Sequence, residues 1–235
     1  MPASPVPGEF RSGPLVLRDS ALFTDLYELT MAAAFFREGM REPATFSLFA
    51  RRLPPGRAFL VAAGLEDALD YVRSFRFTPS ALEWLRSLGR FDGAFLQYLA
   101  GLRFTGEIRA VAEGTVVFPD EPILEVTAPV IEAQLLETAL LNIFHLQCLL
   151  ASKAARVVMA ARGRSVAEFG LRRSHGTDAG LKAARCAWIA GCDSTSNVLA
   201  GQAYGIPLSG TMAHSFVTAF ADELDAFRAY TRTFP

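Results

Sequence analysis

One stretch constrains this chain more than any other: "VIEAQLLETALLNIFHLQCLLASKAARVVMAA", Val130 to Ala161. An apolar run of this length either crosses a bilayer or lies buried in a protein core. A membrane span needs about 20 nearly uninterrupted apolar residues. Glu132, Glu137, His145, Lys153 and Arg156 interrupt this one, so it reads as a buried helix of a soluble protein. Ile131, Leu135, Ala139 and Ile143 recur at helical spacing and mark its inner face. His145, set amid "NIFHLQCLL", reads as a hydrogen-bonded core histidine.

The chain changes style on either side of this helix. Before it, "ALFTDLYELTMAAAFFREGM" is helical in composition and Gly39 is a stop signal. "ATFSLFA" reads as a strand. "GLEDALDYVRSF", "TPSALEWLRSLG" and "DGAFLQYLAG" read as three short amphipathic helices, the second with Pro79 just inside its start, where a missing N–H costs nothing. "FTGEIRAVAEGTVVFPDEPILEVTAPV" holds short apolar runs broken by Gly114 and the Pro119 to Pro122 turn. It reads as a small antiparallel β layer.

After Arg162, strand and helix alternate. "RSVAEFG" reads as a strand, "GTDAGLKAARCAWIAG" as a helix, "CDSTSN" as a turn, "VLAGQAYG" as a helix, "IPLSG" as a strand and "HSFVTAFADELDAFRAY" as a helix. Such alternation suits a parallel α/β barrel or open sheet. The expected organisation is a disordered Pro-, Gly- and Ser-rich lead-in over 1–18, an N-terminal α/β (α+β) domain over 19–130, and the bridging helix with the first part of an α/β catalytic domain over 131–235.

Composition narrows the function. Hydrophobic residues make up 51% of 235 and charged residues 20%, enough for a sizeable core. With 23 Lys and Arg against 24 Asp and Glu, nothing draws the whole chain to nucleic acid or an anionic membrane; an anion site must be local. Cys148, Cys186 and Cys192 form no CxxC pair, so no zinc or other metal site is expected. Their odd number suits a reduced, cytoplasmic protein.

Four constellations carry the candidate chemistry. In "AEFGLRRSHGTDAG" a strand ends at Phe169 and Gly170, two arginines follow, and a helix starts near Thr177. Arg172 and Arg173, beside helix amides, suit a carboxylate or phosphate; pairing with Glu168 or Asp178 is the alternative. His175 lies in the same polar loop without a clear role. "GCDSTSN" offers hydroxyls for a ligand's polar edge, or plain turn and cap residues. "SGTMAHS" gathers Ser209, Thr211 and His214 in one loop, where an imidazole can act as acid, base, nucleophile or ligand or merely cap a helix. "FTDLYELTM" places Tyr27 on a helix with Thr24, Asp25 and Glu28.

"TDLYELTM", "EFGLRRSHGTDAG", "TSNVLAG" and "SGTMAHS" occur in the order and spacing of the nicotinate phosphoribosyltransferases, which the chain resembles from about residue 19 onward. The resemblance implies an N-terminal α/β domain joined to an irregular α/β barrel of the type II phosphoribosyltransferase kind. It implies that nicotinate and phosphoribosyl pyrophosphate give nicotinate mononucleotide and pyrophosphate, a salvage entry to NAD. ATP hydrolysis through a phosphohistidine, with Mg²⁺, and a homodimer with shared active sites are implied as well. Motif by motif, His214 resembles the phosphoacceptor, and Phe169 the aromatic under the pyridine ring. Tyr27 resembles the aromatic that covers the ring from the partner subunit. Arg172 resembles the arginine near the nicotinate carboxylate and ribose phosphate, with Arg173 assisting. Thr195 and Ser196 resemble the residues at the ring's polar edge, and Thr211 shares the loop of His214.

In the family the barrel continues past the point matching Pro235. The acidic strand facing the ribose and the Gly-rich phosphate loops are therefore expected beyond it, and the barrel here is expected to be incomplete. Two other readings follow. Nicotinamide phosphoribosyltransferase shares the architecture; Ser196, where an acid would suit an amide, favours nicotinate, although Asp193 lies three residues away. A non-catalytic remnant binding a pyridine or a partner protein is the second.

Overall fold

The computed structural model describes residues 20–234; the expected lead-in lies outside them. The chain forms two compact units of interleaved segments. One takes in 20–49, 65–110 and 122–144, the other 50–64, 111–121 and 145–234. The long helix expected from the sequence runs Val130–Ala161, and its residues are divided between the units after Phe144.

In the first unit, strands β1 (Pro43–Phe49), β3 (Glu107–Ala110) and β5 (Pro122–Pro129) form an antiparallel sheet in the order β1-β5-β3. Central β5 buries Ile123, Leu124, Val126 and Ala128. Its outward residues pair across the strands: Thr45 with Thr127 at 2.8 Å, and Ser47 donating to Glu125 at 3.0 Å. Helices α1 (Leu26–Arg37), α2 (Leu65–Ser74), α3 (Pro79–Ser87) and α4 (Gly93–Gly101) are those read from the sequence. Thr78 caps α3 ahead of Pro79, and Asp92 caps α4. Phe75, Leu85, Phe95 and Leu99 fill the core beneath them.

The first half of the long helix, α5, explains the carboxylates that interrupt its apolar run. Glu132 accepts the backbone N–H of Thr105 at 2.7 Å. Glu137 accepts the Tyr27 hydroxyl at 3.4 Å, and Gln134 donates to the buried Glu28. A polar group can be buried when it is hydrogen-bonded. His145 corrects the core assignment: it is exposed, with Leu141 and Asn142, while Phe144, Gln147 and Cys148 are buried. The 3.6-residue period puts 141 and 145 on one face and 144, 147, 148 and 151 on the other. By length and composition α5 could cross a bilayer, but half of its most apolar window is buried within protein.

In the second unit, strand β2 (Leu60–Val61) pairs antiparallel with β4 (Val116–Val117). The sequence reading had grouped β4 with β3 and β5 and had missed β2; two-residue strands leave too short an alternation to read. Val61 donates its N–H to Ser152 of α5 at 2.9 Å and packs with Ala63, Ala151 and Cys186. Cys148, Cys186 and Cys192 are buried and form no disulfide. Arg185 makes a two-pronged ion pair with Glu113, at 2.9 and 2.6 Å.

The expected alternation after residue 162 is present, but its strands are short. β6 is only Ala167–Glu168, and "CDSTSN", read as a turn, contains β7 (Ser194–Thr195), which pairs parallel with β6. "IPLSG" is no full strand; Leu208 alone bridges, parallel, to Thr195. Helices α6 (Thr177–Ile189) and α7 (Val198–Tyr204) stand where expected. The last expected helix is two, α8 (His214–Thr218) and α9 (Glu223–Thr233), because Asp222 leaves the helix to cap Leu224 at 2.9 Å.

Candidate active site

Three parallel segments in the second unit run side by side, with β7 in the middle. The ladder continues past the strands. Ser196 donates its N–H to the Glu168 carbonyl at 3.0 Å, and Ser209 donates to the Thr195 carbonyl at 3.0 Å. Three chain segments therefore leave the sheet at the same, C-terminal, end. In parallel α/β folds this end carries the ligand site, because loops of different strands meet there.

The first segment leaves β6 as Phe169, with 48% of its surface exposed. A 3-10 turn, Leu171–Arg173, follows and packs on α6. The turn comes so close that a Cβ on Gly180 would lie 2.7 Å from Leu171 Cδ1, so a larger residue there would push that side chain aside. Arg172 and Arg173 are exposed, and neither forms an ion pair with any described residue. The pairing with Glu168 or Asp178 left open by the sequence is not formed. Glu168 instead accepts the Gly170 N–H and, at 2.7 Å, the Thr195 hydroxyl. His175 is exposed in the same loop.

The second segment leaves β7 as Ser196, half-buried. Thr195 differs from its expected place at a ligand edge. It is fully buried, and its hydroxyl is occupied by Glu168 and by the Asn197 N–H at 3.1 Å. Asn197 caps α7 through Ala200 at 3.2 Å and donates to the Gly180 carbonyl at 3.2 Å, so one side chain ties α7 to α6. Asp193 lies at the other end of β7, where its carboxylate accepts the Val166 N–H at 2.7 Å. That bond holds its pKa below the ordinary carboxylate range. Asp193 is thus no rival to Ser196 for the strand mouth.

The third segment passes Leu208 and Ser209, then Thr211 and His214, both exposed; His214 opens α8. The fold thus brings Phe169, Arg172, Arg173, Ser196, Thr211 and His214 to loops at one end of the sheet.

Tyr27 belongs to the first unit, on α1, and is 48% exposed. The adjacent Glu28 carboxyl, desolvation and the nearby charge of Glu137 hold its phenol above the ordinary range. Glu28 is fully buried, and burial raises its own pKa.

Sequence reading missed Glu168 and Asn197. Asn197 was legible, since an Asn just before "VLAG" is a helix-cap signal. The role of Glu168 was not, because its partner Thr195 lies 27 residues away.

Residues 22–145, more than half of the chain, match the family described as the nicotinate phosphoribosyltransferase N-terminal domain. The chain belongs to the nicotinate phosphoribosyltransferase family. A nicotinate phosphoribosyltransferase of Mycobacterium tuberculosis is 57% identical over 215 residues, covering 92% of this chain and 46% of the relative. The crystal structure of human nicotinic acid phosphoribosyltransferase superposes with a TM-score of 0.77 at 44% identity, over 84% of this chain and 41% of that one. Nicotinate-nucleotide pyrophosphorylase from Pyrococcus furiosus shares the fold, with a TM-score of 0.75 at 23% identity, over 94% of this chain and 49% of that one. The chain spans a little under half the length of the curated nicotinate phosphoribosyltransferases it matches. The mixed α/β fold expected from the motifs is the fold of these neighbours.

Proposed function

We propose that the protein serves as a nicotinate phosphoribosyltransferase, joining nicotinate to phosphoribosyl pyrophosphate to give nicotinate mononucleotide and pyrophosphate in NAD salvage. One observation carries the reading. An exposed aromatic ring, two guanidiniums without an acidic partner among the described residues and a hydroxyl share one end of the sheet. Phe169 offers a face for a pyridine ring, worth about 0.5–1.5 kcal/mol beyond area burial. Arg172 and Arg173 offer forked donors for the nicotinate carboxylate and the ribose phosphate. Ser196 accepts or donates at the ring edge without repelling an anion. With Asp193 tied to Val166, no carboxylate takes that place, which favours nicotinate over nicotinamide. Thr195 acts from behind, through Glu168.

His214 is the proposed phosphoacceptor. Its exposed imidazole attacks the γ-phosphate of ATP through a ring nitrogen, ADP leaves, and Thr211 in the same loop hydrogen-bonds the phosphates. Tyr27 covers the ring in the partner subunit of a homodimer. Among the described residues no group of three or more His, Cys, Asp or Glu side chains is placed to hold a metal ion. In this reading Mg²⁺ accompanies the substrate phosphates. The three buried cysteines, none in a disulfide, agree with a reducing cytoplasm.

The deciding experiment incubates a family-length protein carrying this segment with nicotinate, phosphoribosyl pyrophosphate, ATP and Mg²⁺ and measures the mononucleotide, with nicotinamide in a parallel reaction. Product from nicotinate and none from nicotinamide is expected. Binding of nicotinate without product would favour a non-catalytic pyridine-binding role, and preference for nicotinamide would overturn the substrate.

A further inference from the structure

Gly170 and the Glu168 carboxylate share one space. The glycine's φ of −84° and ψ of −4° are open to other residues. A Cβ there would meet one atom within 4 Å, Glu168 Oε1, at 2.8 Å. The Glu168 carboxylate occupies the space that a side chain at 170 would need.

From that seat the carboxylate accepts the Gly170 N–H with one oxygen and the Thr195 hydroxyl with the other. Thr195 Oγ1 in turn accepts the Asn197 N–H at 3.1 Å. Phe169 lies between Glu168 and Gly170 in the chain, and Ser196 between Thr195 and Asn197. Each of these mouth residues therefore has both of its neighbours fixed by one hydrogen-bonded chain. Both carboxylate oxygens are thus engaged, and Glu168 forms no ion pair with Arg172 or Arg173.

We infer that Glu168 is a positioning residue of this site: seated in the gap left by Gly170 and held by buried Thr195, it fixes the spacing of Phe169 and Ser196 and leaves both arginines open to an anion. The inference rests on the reading of Phe169 and Ser196 as contacts of the pyridine ring.

The test uses the full chain in six forms: wild type, Glu168→Ala, Gly170→Ala, the double variant, Thr195→Val and Thr195→Ser. Nicotinate affinity is measured by calorimetry, and amide hydrogen exchange at Gly170 and Asn197 by NMR. Glu168→Ala, Gly170→Ala and Thr195→Val are each expected to weaken nicotinate roughly ten-fold, the scale of one or two lost hydrogen bonds. Thr195→Ser, which keeps the hydroxyl, is expected to stay within about two-fold. The double variant should be no weaker than Glu168→Ala, because the alanine methyl then meets nothing; coupled residues are non-additive. Exchange at Gly170 and Asn197 should speed up in Glu168→Ala. Additive losses, an inert Glu168→Ala, or a Thr195→Ser as weak as Thr195→Val overturns the inference. If wild type does not bind nicotinate, the ring-site reading fails, and the exchange measurement alone decides: unchanged exchange in Glu168→Ala refutes the clamp, and faster exchange upholds it.

Discussion

His214 carries the sharpest prediction at the scale of single residues. If its imidazole accepts phosphate, γ-labelled ATP should leave an acid-labile, base-stable label on the protein. His214→Ala should abolish both that label and any stimulation by ATP; labelling that persists in the variant would sink the assignment. Glu28 makes a pH prediction. Burial raises its carboxyl pKa in the folded protein, with the hydrogen bond from Gln134 and the neighbouring Tyr27 hydroxyl opposing in part. A raised folded pKa means stabilisation fully present below the unfolded carboxyl's value of about 4.3 and lost as pH rises through the folded value. Glu28→Gln removes that loss, so variant minus wild-type stability should grow between pH 4 and pH 7. Parallel stability curves would show that Glu28 does not titrate in this way. The two residues also differ in how readable they were. His214 stood out as one of three histidines beside a Gly-Thr pair, whereas the burial of Glu28 depends on Gln134, 106 residues away.

Helix α7 is the element on which the strand mouth leans. Asn197 caps it and ties it to α6 with a second hydrogen bond. Asn197→Ala removes a cap and a buried side-chain hydrogen bond, a loss of about 2 kcal/mol in urea unfolding; Asn197→Asp should recover the cap but not the bond to Gly180. A midpoint unchanged by Asn197→Ala would mean that the cap is redundant. The helices of this protein were largely legible because stops, Pro at a helix start and a 3.6-residue period are local signals: Pro79 and Gly39 stand where the sequence put them. Its strands, β1 and β5 apart, were less so. β2, β4, β6 and β7 have two residues each, too few for alternation to show. Each is defined by a partner far along the chain. The one break missed within a helix, between α8 and α9, turned on a single capping aspartate that also has good helical neighbours.

At the scale of the whole molecule the parallel segments are open on both sides among the described residues, and apolar surface stands beside them. Val198 is 71% exposed, Leu199 58% and Leu208 55%. Exposed strand edges next to apolar patches favour association. Sedimentation of this 235-residue chain should show concentration-dependent self-association, relieved when the remaining length of a family member is supplied covalently or in trans; a monomer at all concentrations would contradict this. If Tyr27 serves the partner's site, mixing Tyr27→Ala with His214→Ala subunits of a family-length protein should restore activity above either variant alone. The interleaving of the two units has a consequence for anyone who would divide the gene. β1 pairs with β5 from Pro43↔Pro129, so on a ribosome the first sheet waits for some eighty codons, most of them already encoding its own helices and a piece of the other unit. No single stop codon or protease site separates one unit from the other. A shuffled or truncated library of this gene should yield soluble protein only when its junctions fall in matched pairs, near 49 with 65 and 110 with 122, and never from one cut alone.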